Sequence, residues 1–270
     1  MAVLELEREG SLATVWLANP RRRNAMGPAF FSALPGIVAE VEQDTEIRAV
    51  VIAAQGAVFS AGLDLKSEIG TQLQAALDGG LAQAREALYS LIRTLQTGFR
   101  ALARCSKPTI AAIHGPCIGA GLDLVSACDL RFASEDAVLS MRETRMAIVA
   151  DLGSLQRLGR IIGHGHLRDL ALTGRDVGGR EAARIGLVNE VLPDATAVLQ
   201  RARQAAKQVA ANSPLAVRGV KRVLDAVDAR AVDEGLEYVA LWNAAFLPSE
   251  DLMEAISSFV QKRPPAFKGR

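Results

Sequence analysis

Ile113-His114-Gly115-Pro116-Cys117-Ile118-Gly119-Ala120-Gly121-Leu122-Asp123 joins an apolar β-like run, Thr109 to Ile113, to a helical pattern, Leu122 to Ala127. Glycine allows a ligand to approach the backbone closely. The first amides of a helix lack internal partners and point outward, with the positive end of the helix dipole behind them. The stretch therefore suits an oxygen that gains negative charge, such as an enolate or a phosphate. It equally describes a plain strand-to-helix turn with an acid, Asp123, placed for the dipole. A nucleotide fingerprint is excluded: Gly115, Gly119 and Gly121 do not make G-x-G-x-x-G, and the chain contains no G-x-x-x-x-G-K-[ST].

Working outward, a second loop of small residues, Phe59-Ser60-Ala61-Gly62-Leu63-Asp64-Leu65-Lys66, follows the buried-strand pattern Ile47 to Ala54. Two such loops could present backbone amides to one ligand from two sides. Upstream, Val3 to Glu7 and Leu12 to Leu17 alternate around Glu9-Gly10-Ser11 and predict a hairpin. Asn19-Pro20 marks a turn, and Arg21-Arg22-Arg23 reads either as a solvated loop or as a grip on a polyanion. Pro28 to Gln43 has helical spacing that Pro35-Gly36 threatens to interrupt. Thr71 to Arg104 is mostly helical, with a weak point at Asp78-Gly79-Gly80.

Downstream, Asp129 to Ala133, Ala137 to Ser140 and Val188 to Val191 read as short strands. Gly165 to Leu172 and Gly178 to Ile185 read as helices, after an irregular-to-helical stretch from Arg142 to Gly163. From Ala195 onward the pattern is helical throughout: Ala197 to Ala211, Pro214 to Val227, Val232 to Phe246 and Glu250 to Gln261. The organisation predicted is a mixed α/β core over residues 1–195 and an all-helical region over 196–270.

Composition narrows the function. Thirty-one basic residues against 30 acidic give a net charge of +1, without the basic surplus of a nucleic-acid partner. Half of the residues are hydrophobic, enough for a sizeable core, yet no apolar run approaches the roughly 18 residues that span a bilayer. Cys105, Cys117 and Cys128 have neither metal-ligand spacing nor an even count, which fits a reducing compartment. Acids at Glu5 and Glu7 leave no signal-peptide core, and Phe267-Lys268-Gly269-Arg270 is not a peroxisomal address. The expectation is a cytoplasmic protein.

Three acids follow the first loop. Asp123 opens its helix. Glu143 lies among Arg142, Thr144 and Arg145, where a surface ion pair with an arginine is the local reading. Asp151 sits in Ala147-Ile148-Val149-Ala150-Asp151-Leu152-Gly153. Buried there without partners its pKa would rise, suiting a general acid or base. It could as well cap a helix starting near Leu152. His114, at a strand end, reads as packed or bonded to backbone. His164 and His166 read as helix-start residues, with no identifiable metal partner.

Taken together, the motifs resemble the crotonase (enoyl-CoA hydratase/isomerase) superfamily over nearly the whole chain. The matching segments are Asn19-Pro20 through Arg23-Asn24-Ala25-Met26, Phe59 through Leu65, Lys107-Pro108 through Asp129, and Thr173-Gly174-Arg175 through Val188. The resemblance implies an α/β fold, the crotonase (ClpP-like) spiral of ββα units, with an all-helical C-terminal part used for trimer contacts. It implies a homo-oligomer, either a trimer or a dimer of trimers. It also implies an acyl-CoA thioester whose oxygen rests between the backbone amides of Leu63 and Ala120. Arg23, Ala25 and the loop of Ala61, Asp64 and Leu65 would lie along the CoA moiety. Phe267 and Lys268 resemble the family's C-terminal CoA contacts.

The order Asp123, Glu143, Asp151, separated by 20 and 8 positions, looks like the Δ3,5-Δ2,4-dienoyl-CoA isomerase branch. By that resemblance Asp151 is the base at C2, Glu143 the acid at C6, and Asp123 a polar partner of Glu143. No metal or cofactor is implied beyond the CoA of the substrate. Two alternatives stand beside this reading. One is an enoyl-CoA hydratase adding water to a 2-enoyl-CoA; the other is a non-catalytic acyl-CoA-binding scaffold.

Overall fold

The apolar runs that precede the two loops form strands buried on both faces, which is why they read as continuous rather than alternating. The computed structural model describes residues 2–72, 82–227 and 229–269. Strands β1 (Leu4–Glu9) and β2 (Leu12–Leu17) make the expected hairpin, and β3 (Ala49–Ala54), β4 (Thr109–Ile113), β6 (Leu130–Ser134) and β9 (Glu190–Leu192) extend the sheet. The order is β1-β2-β3-β4-β6-β9, antiparallel at the hairpin and parallel beyond it. On one face Val50, Ile52, Ala111 and Ile113 enter the main core. On the other, Ala49, Val51, Ala53, Ile110 and Ala112 pack beneath a later helix.

A second sheet was not anticipated. Strands β5 (Pro116–Ile118), β7 (Val138–Ser140) and β8 (Asp176–Gly178) form it in the order β5-β7-β8. Strand β7 lies within the expected short strand Ala137 to Ser140, whereas β5 and β8 have three residues each, too few for a periodic signal. Successive pairs, β4 with β5 and β6 with β7, each send one strand to the large sheet and the next to the small one. The chain thus advances as a spiral. An isolated bridge, Ser60 to Cys117, adds the Phe59–Lys66 loop to the edge of the small sheet. This places the loop that follows β3 beside the loop that follows β5.

Helices fill the remaining layers. Helix α1 (Pro28–Gln43) runs through Pro35 without a break. Phe30, Phe31, Leu34, Val38 and Val41 bury its inner face, outweighing the one backbone bond that Pro35 removes. Helix α2 (Ala82–Arg104) buries Leu88, Ile92, Leu95, Phe99 and Leu102, a spacing that keeps one face on α1. Asp78-Gly79-Gly80 lies outside the described residues. Helix α3 (Ala120–Ser126) starts two residues earlier than its hydrophobic pattern. Helix α4 (Ser154–Thr173) absorbs the segment expected from Gly165, with a kink at Gly163. Short helix α5 (Gly179–Arg184) precedes β9.

The helices after residue 194 are α6 (Ala195–Ala211), α7 (Pro214–Ala226), α8 (Ala229–Phe246) and α9 (Glu250–Gln261). Helix α6 covers the second face of the large sheet through Val198, Ala202, Ala205, Ala206 and Ala210, whose small side chains allow close approach. By packing, α6 therefore belongs with the sheet. A satellite cluster joins Leu88 and Ile92 of α2 to Ala240 of α8, Leu247, and Leu252 of α9. Through it α8 is brought behind the acids described next. Among the described residues no helix is long and apolar enough to cross a membrane.

Candidate active site

Two loops meet at the open end of the small sheet. Met26 and Leu63 form a parallel bridge in which Met26 N donates to Gly62 O at 2.8 Å and Asp64 N to Met26 O at 2.9 Å. That register occupies the residues on either side of Leu63. The Leu63 amide has no partner among the described residues. Gly62, at φ 87, must be glycine: a Cβ would sit 2.7 Å from Ile118 O. The same Cβ position lies 3.5 Å from the Ala120 amide, so the two loops are in contact. Ala120 is the first residue of α3, and its amide also lacks a partner among the described residues. The glycine turn ahead of it is Gly119, at φ 54 and ψ −119, its own amide bonded to Ser140 O at 2.9 Å. Ala120 lies outside the left-handed region, so its methyl costs nothing there.

A residue the sequence did not single out fastens this arrangement. Asn24, buried and at φ 50, donates to Gln55 O at 2.9 Å and to Val58 O at 2.8 Å. Its Oδ1 accepts from Asn19 N at 2.9 Å. Ser60 Oγ then donates to Asn24 O and accepts from Gly62 N. Loop 19–26 is thereby held on the end of β3. His114 is buried, its Nε2 2.8 Å from Gly56 O, as its backbone-bonded reading expected.

The three acids converge but are held differently. Asp123, on the fully buried α3, accepts from Ser154 N at 2.7 Å. Burial raises its pKa, opposed by the hydrogen bonding with Ser154 and by the Arg157 charge. Among the described residues Glu143 makes no ion pair with a neighbouring arginine; Arg142 is taken by Asp176 at 2.6 Å. Instead Glu143 reaches back over Gly119, where a Cβ would lie 3.1 Å from its Oε1. Its Oε2 is buried with no partner among the described residues. Burial, then the negative charges of Asp123 and Asp151, push its carboxyl up to about 8.

Asp151 does not cap α4. The N-cap is Gly153, at φ 127, where a Cβ would collide with the Arg157 guanidinium. The acceptor for the first amide of α4 is Asp123, 31 residues upstream. Asp151 Oδ2 instead accepts from Asn243 Nδ2 of α8 at 2.8 Å. Burial raises Asp151 to about 7 against that hydrogen bond, with Asp123 adding to the rise. Two carboxyl groups thus titrate near neutrality beside a pair of free amides, an arrangement suited to proton transfer next to a developing oxyanion.

The residues expected along a CoA moiety divide. Arg23, at φ 53, is exposed, and its carbonyl accepts from Ala61 N at 3.0 Å. Ala25 follows in the same turn, its amide bonded to Arg22 O. Arg21 is exposed as well, and neither it nor Arg23 has an ion-pair partner among the described residues. Arg22 is bound to Asp64 at 3.0 Å, and Asp64 also accepts from Lys66 N, so this acid shapes its own loop. Leu65 is exposed beyond it. Phe267 and Lys268 lie on the C-terminal tail, which is fastened to α9: Ala266 N donates to Glu254, and Lys268 N and Gly269 N to Asp251. Among the described residues, loops 19–26 and 60–65 are not hydrogen-bond partners of this tail.

The family profile described as enoyl-CoA hydratase/isomerase matches residues 7–270. The chain is 43% identical over 267 residues to the mitochondrial Δ(3,5)-Δ(2,4)-dienoyl-CoA isomerase of Dictyostelium discoideum, covering 98% of this chain and 91% of that one. It is 40% identical to the peroxisomal Δ(3,5)-Δ(2,4)-dienoyl-CoA isomerase of Arabidopsis thaliana, over 98% of this chain and 96% of that one. Among solved structures, carnitinyl-CoA hydratase from Mycobacterium avium superposes with a TM-score of 0.86 at 30% identity, over the full length of both chains.

Proposed function

The chain belongs to the enoyl-CoA hydratase/isomerase family and has the crotonase fold, and we propose that it is an acyl-CoA isomerase of fatty-acid β-oxidation that converts 3,5-dienoyl-CoA to 2,4-dienoyl-CoA. The observation that carries the reading is the unequal engagement of the three acids. Among the described residues Asp123 is spent on the amide of Ser154, whereas Glu143 keeps an unpartnered oxygen and Asp151 is held by one oxygen only.

In this reading the thioester oxygen rests between the amides of Leu63 and Ala120, which favour the enolate over the ketone form. Asp151 removes a proton from C2, and the electron pair delocalises through C3–C6. Glu143 delivers a proton to C6, leaving double bonds at C2 and C4. One proton leaves and one arrives, so the product is an isomer. The cycle closes when the proton on Asp151 is exchanged back to Glu143. The reaction is redox-neutral and its electrophile is the pair of amides, so coenzyme A enters only as part of the substrate. A hydratase must hold water between two carboxyl groups, and the engagement of Asp123 with Ser154 disfavours that use.

Arg23, Ala25, Ala61 and Leu65 line the assigned path of the CoA moiety, with Arg21 and Arg23 free for its phosphates and Asp64 acting through Arg22. Phe267 and Lys268 are assigned to the same ligand. The helices of residues 196–270 are assigned to a homo-oligomer, a trimer or a dimer of trimers. Leu215, Val223 and Val227 of the α7 stretch and Tyr238, Trp242 and Phe246 of α8 are exposed and form apolar faces of the kind that mark interfaces. Light scattering on the purified protein tests that assignment. Three free cysteines favour a reducing compartment, assigned here as the cytoplasm. Fractionation separates it from the mitochondrial and peroxisomal locations in the relatives' names.

The deciding assay offers the purified protein a 3,5-dienoyl-CoA and follows the ultraviolet absorbance of the conjugated 2,4-diene. A parallel sample receives a 2-enoyl-CoA. Diene conversion with little hydration is expected. Hydration without diene conversion would move the protein to the hydratase class, and binding without either reaction would make it a scaffold.

A further inference from the structure

Helix α8 carries a buried amide whose donor capacity is spent on the loop of the base. Asn243 is 1% exposed. Its Nδ2 donates to Val149 O at 2.8 Å and to Asp151 Oδ2 at 2.8 Å. Both partners are acceptors, so only the NH2 end of the amide fits there. A second buried amide braces the same residue from α2. Gln96 Nε2 donates to Asp151 O at 2.8 Å and to Leu236 O of α8 at 3.1 Å, while its Oε1 accepts from Arg93. The side chain of Asp151 is thus tied to α8 and its backbone to α2 by two separate amides, the second of which is itself bonded to α8. Asp151 Oδ1 has no hydrogen-bond partner among the described residues.

We propose that Asn243 is the positioning residue of the catalytic base, holding Oδ2 of Asp151 so that Oδ1 is presented to the substrate α-carbon. The inference rests on the functional reading above and adds to it the residue that orients the base. Its physical basis is that a donor aimed at one carboxylate oxygen fixes the carboxylate plane and favours the ionised form. The charged groups around Asp151 act on the same equilibrium. Asp123 of α3 and Glu143 of the turn before α4 oppose ionisation, while Arg157 of α4 offsets Asp123. From α2, Arg93 is already paired with Glu237 of α8. Asn243 is the neutral donor among them, and its contribution is directional.

The test compares Asn243→Leu and the isosteric Asn243→Asp with wild type in the full chain. Circular dichroism and melting temperature report folding, and kcat and KM are measured across pH with a 3,5-dienoyl-CoA. Loss of one hydrogen bond to a charged group is expected to move the acidic limb of the Asn243→Leu profile upward by about one to two pH units. KM should stay within about twofold while kcat at neutral pH falls at least tenfold, because a mispositioned base acts on the transition state rather than on binding. Asn243→Asp keeps the shape of the side chain, and its carboxyl should move the limb in the same direction. A folded variant with an unmoved acidic limb, or a loss confined to KM, overturns the proposal. Failure of wild type to convert the diene overturns the functional reading instead. In that case 13C NMR of labelled aspartate, assigned with Asp151→Asn, still decides whether removing Asn243 raises the titration of Asp151.

Discussion

Glu143→Gln separates what the buried acid does for catalysis from what it costs the fold. The replacement keeps the side-chain shape and removes the titration. In the folded chain Glu143 is pushed from its ordinary 4.5 up to about 8, first by burial and then by Asp123 and Asp151. A carboxyl raised in this way stabilises the fold fully while protonated, below about pH 4.5. The contribution is lost as pH rises through the folded value near 8, because the unfolded chain releases the proton first. At about 1.4 kcal/mol per pH unit, the interval corresponds to about 5 kcal/mol. Asp123 and Asp151 titrate in the same field and share part of it, so a net tilt of about 3 kcal/mol is expected. Chemical denaturation of both proteins at about pH 5, 7 and 9, at one protein concentration, measures it. The stability of Glu143→Gln minus that of wild type should grow steadily with pH. Turnover should fall by about 10²–10⁴-fold while exchange of the substrate C2 proton persists. Parallel stability curves across this range would mean that Glu143 is not held protonated by the site, and the assignment of an acid at C6 would go with it.

Other perturbations probe the remaining parts. Asp151→Asn should abolish C2 proton exchange and lower turnover by about 10²–10⁴-fold with acyl-CoA binding intact; exchange at the wild-type rate would remove Asp151 from the base role. The pH profile of kcat/KM should be narrow, rising as Asp151 ionises near about 7 and falling as Glu143 loses its proton near about 8. A flat rate across that interval would contradict the division of roles. Gly62→Ala forces a side chain onto a residue at φ 87 and a Cβ to within 2.7 Å of Ile118 O. It should destabilise the fold by about 1–3 kcal/mol and lower kcat by displacing the Leu63 amide, seen by denaturation and kinetics together. A wild-type kcat in this variant would show that the amide is not part of the oxyanion site.

Much of the architecture was legible because its signals are local. Strand β4 spans the residues its apolar run predicted, and α9 spans Glu250–Gln261 as read. Its start is written into the chain: Ser249 caps Leu252 N, and Glu250 and Asp251 sit in the first turn. The two small-residue loops were also recognisable, since glycine at Gly62 and Gly119 answers to backbone angles that other residues adopt with strain. Strands β5 and β8 were not legible. Three residues carry no period, and they are strands because β7 lies between them.

The acids show the same division. Their identity and spacing, and the loops that precede them, are properties of the sequence, and with the motif order they point to acyl-CoA chemistry. Local reasoning did not reach what each acid touches. It left Asp151 between a helix cap and a buried acid or base and offered Glu143 as a surface ion pair, whereas the first amide of α4 is taken by Asp123 and Arg142 by Asp176. Asp123 meets Ser154 across 31 residues, and Asp151 meets Asn243 across 92. Short-range pattern cannot contain such pairings, because they form only when the spiral brings α3, α4 and α8 together. The protonation of a carboxyl depends on burial and on the charges and donors around it. The sequence by itself therefore determined which carboxyl groups the chain carries and in what order, and only the tertiary structure decided which of them is engaged and which keeps an oxygen without a partner among the described residues.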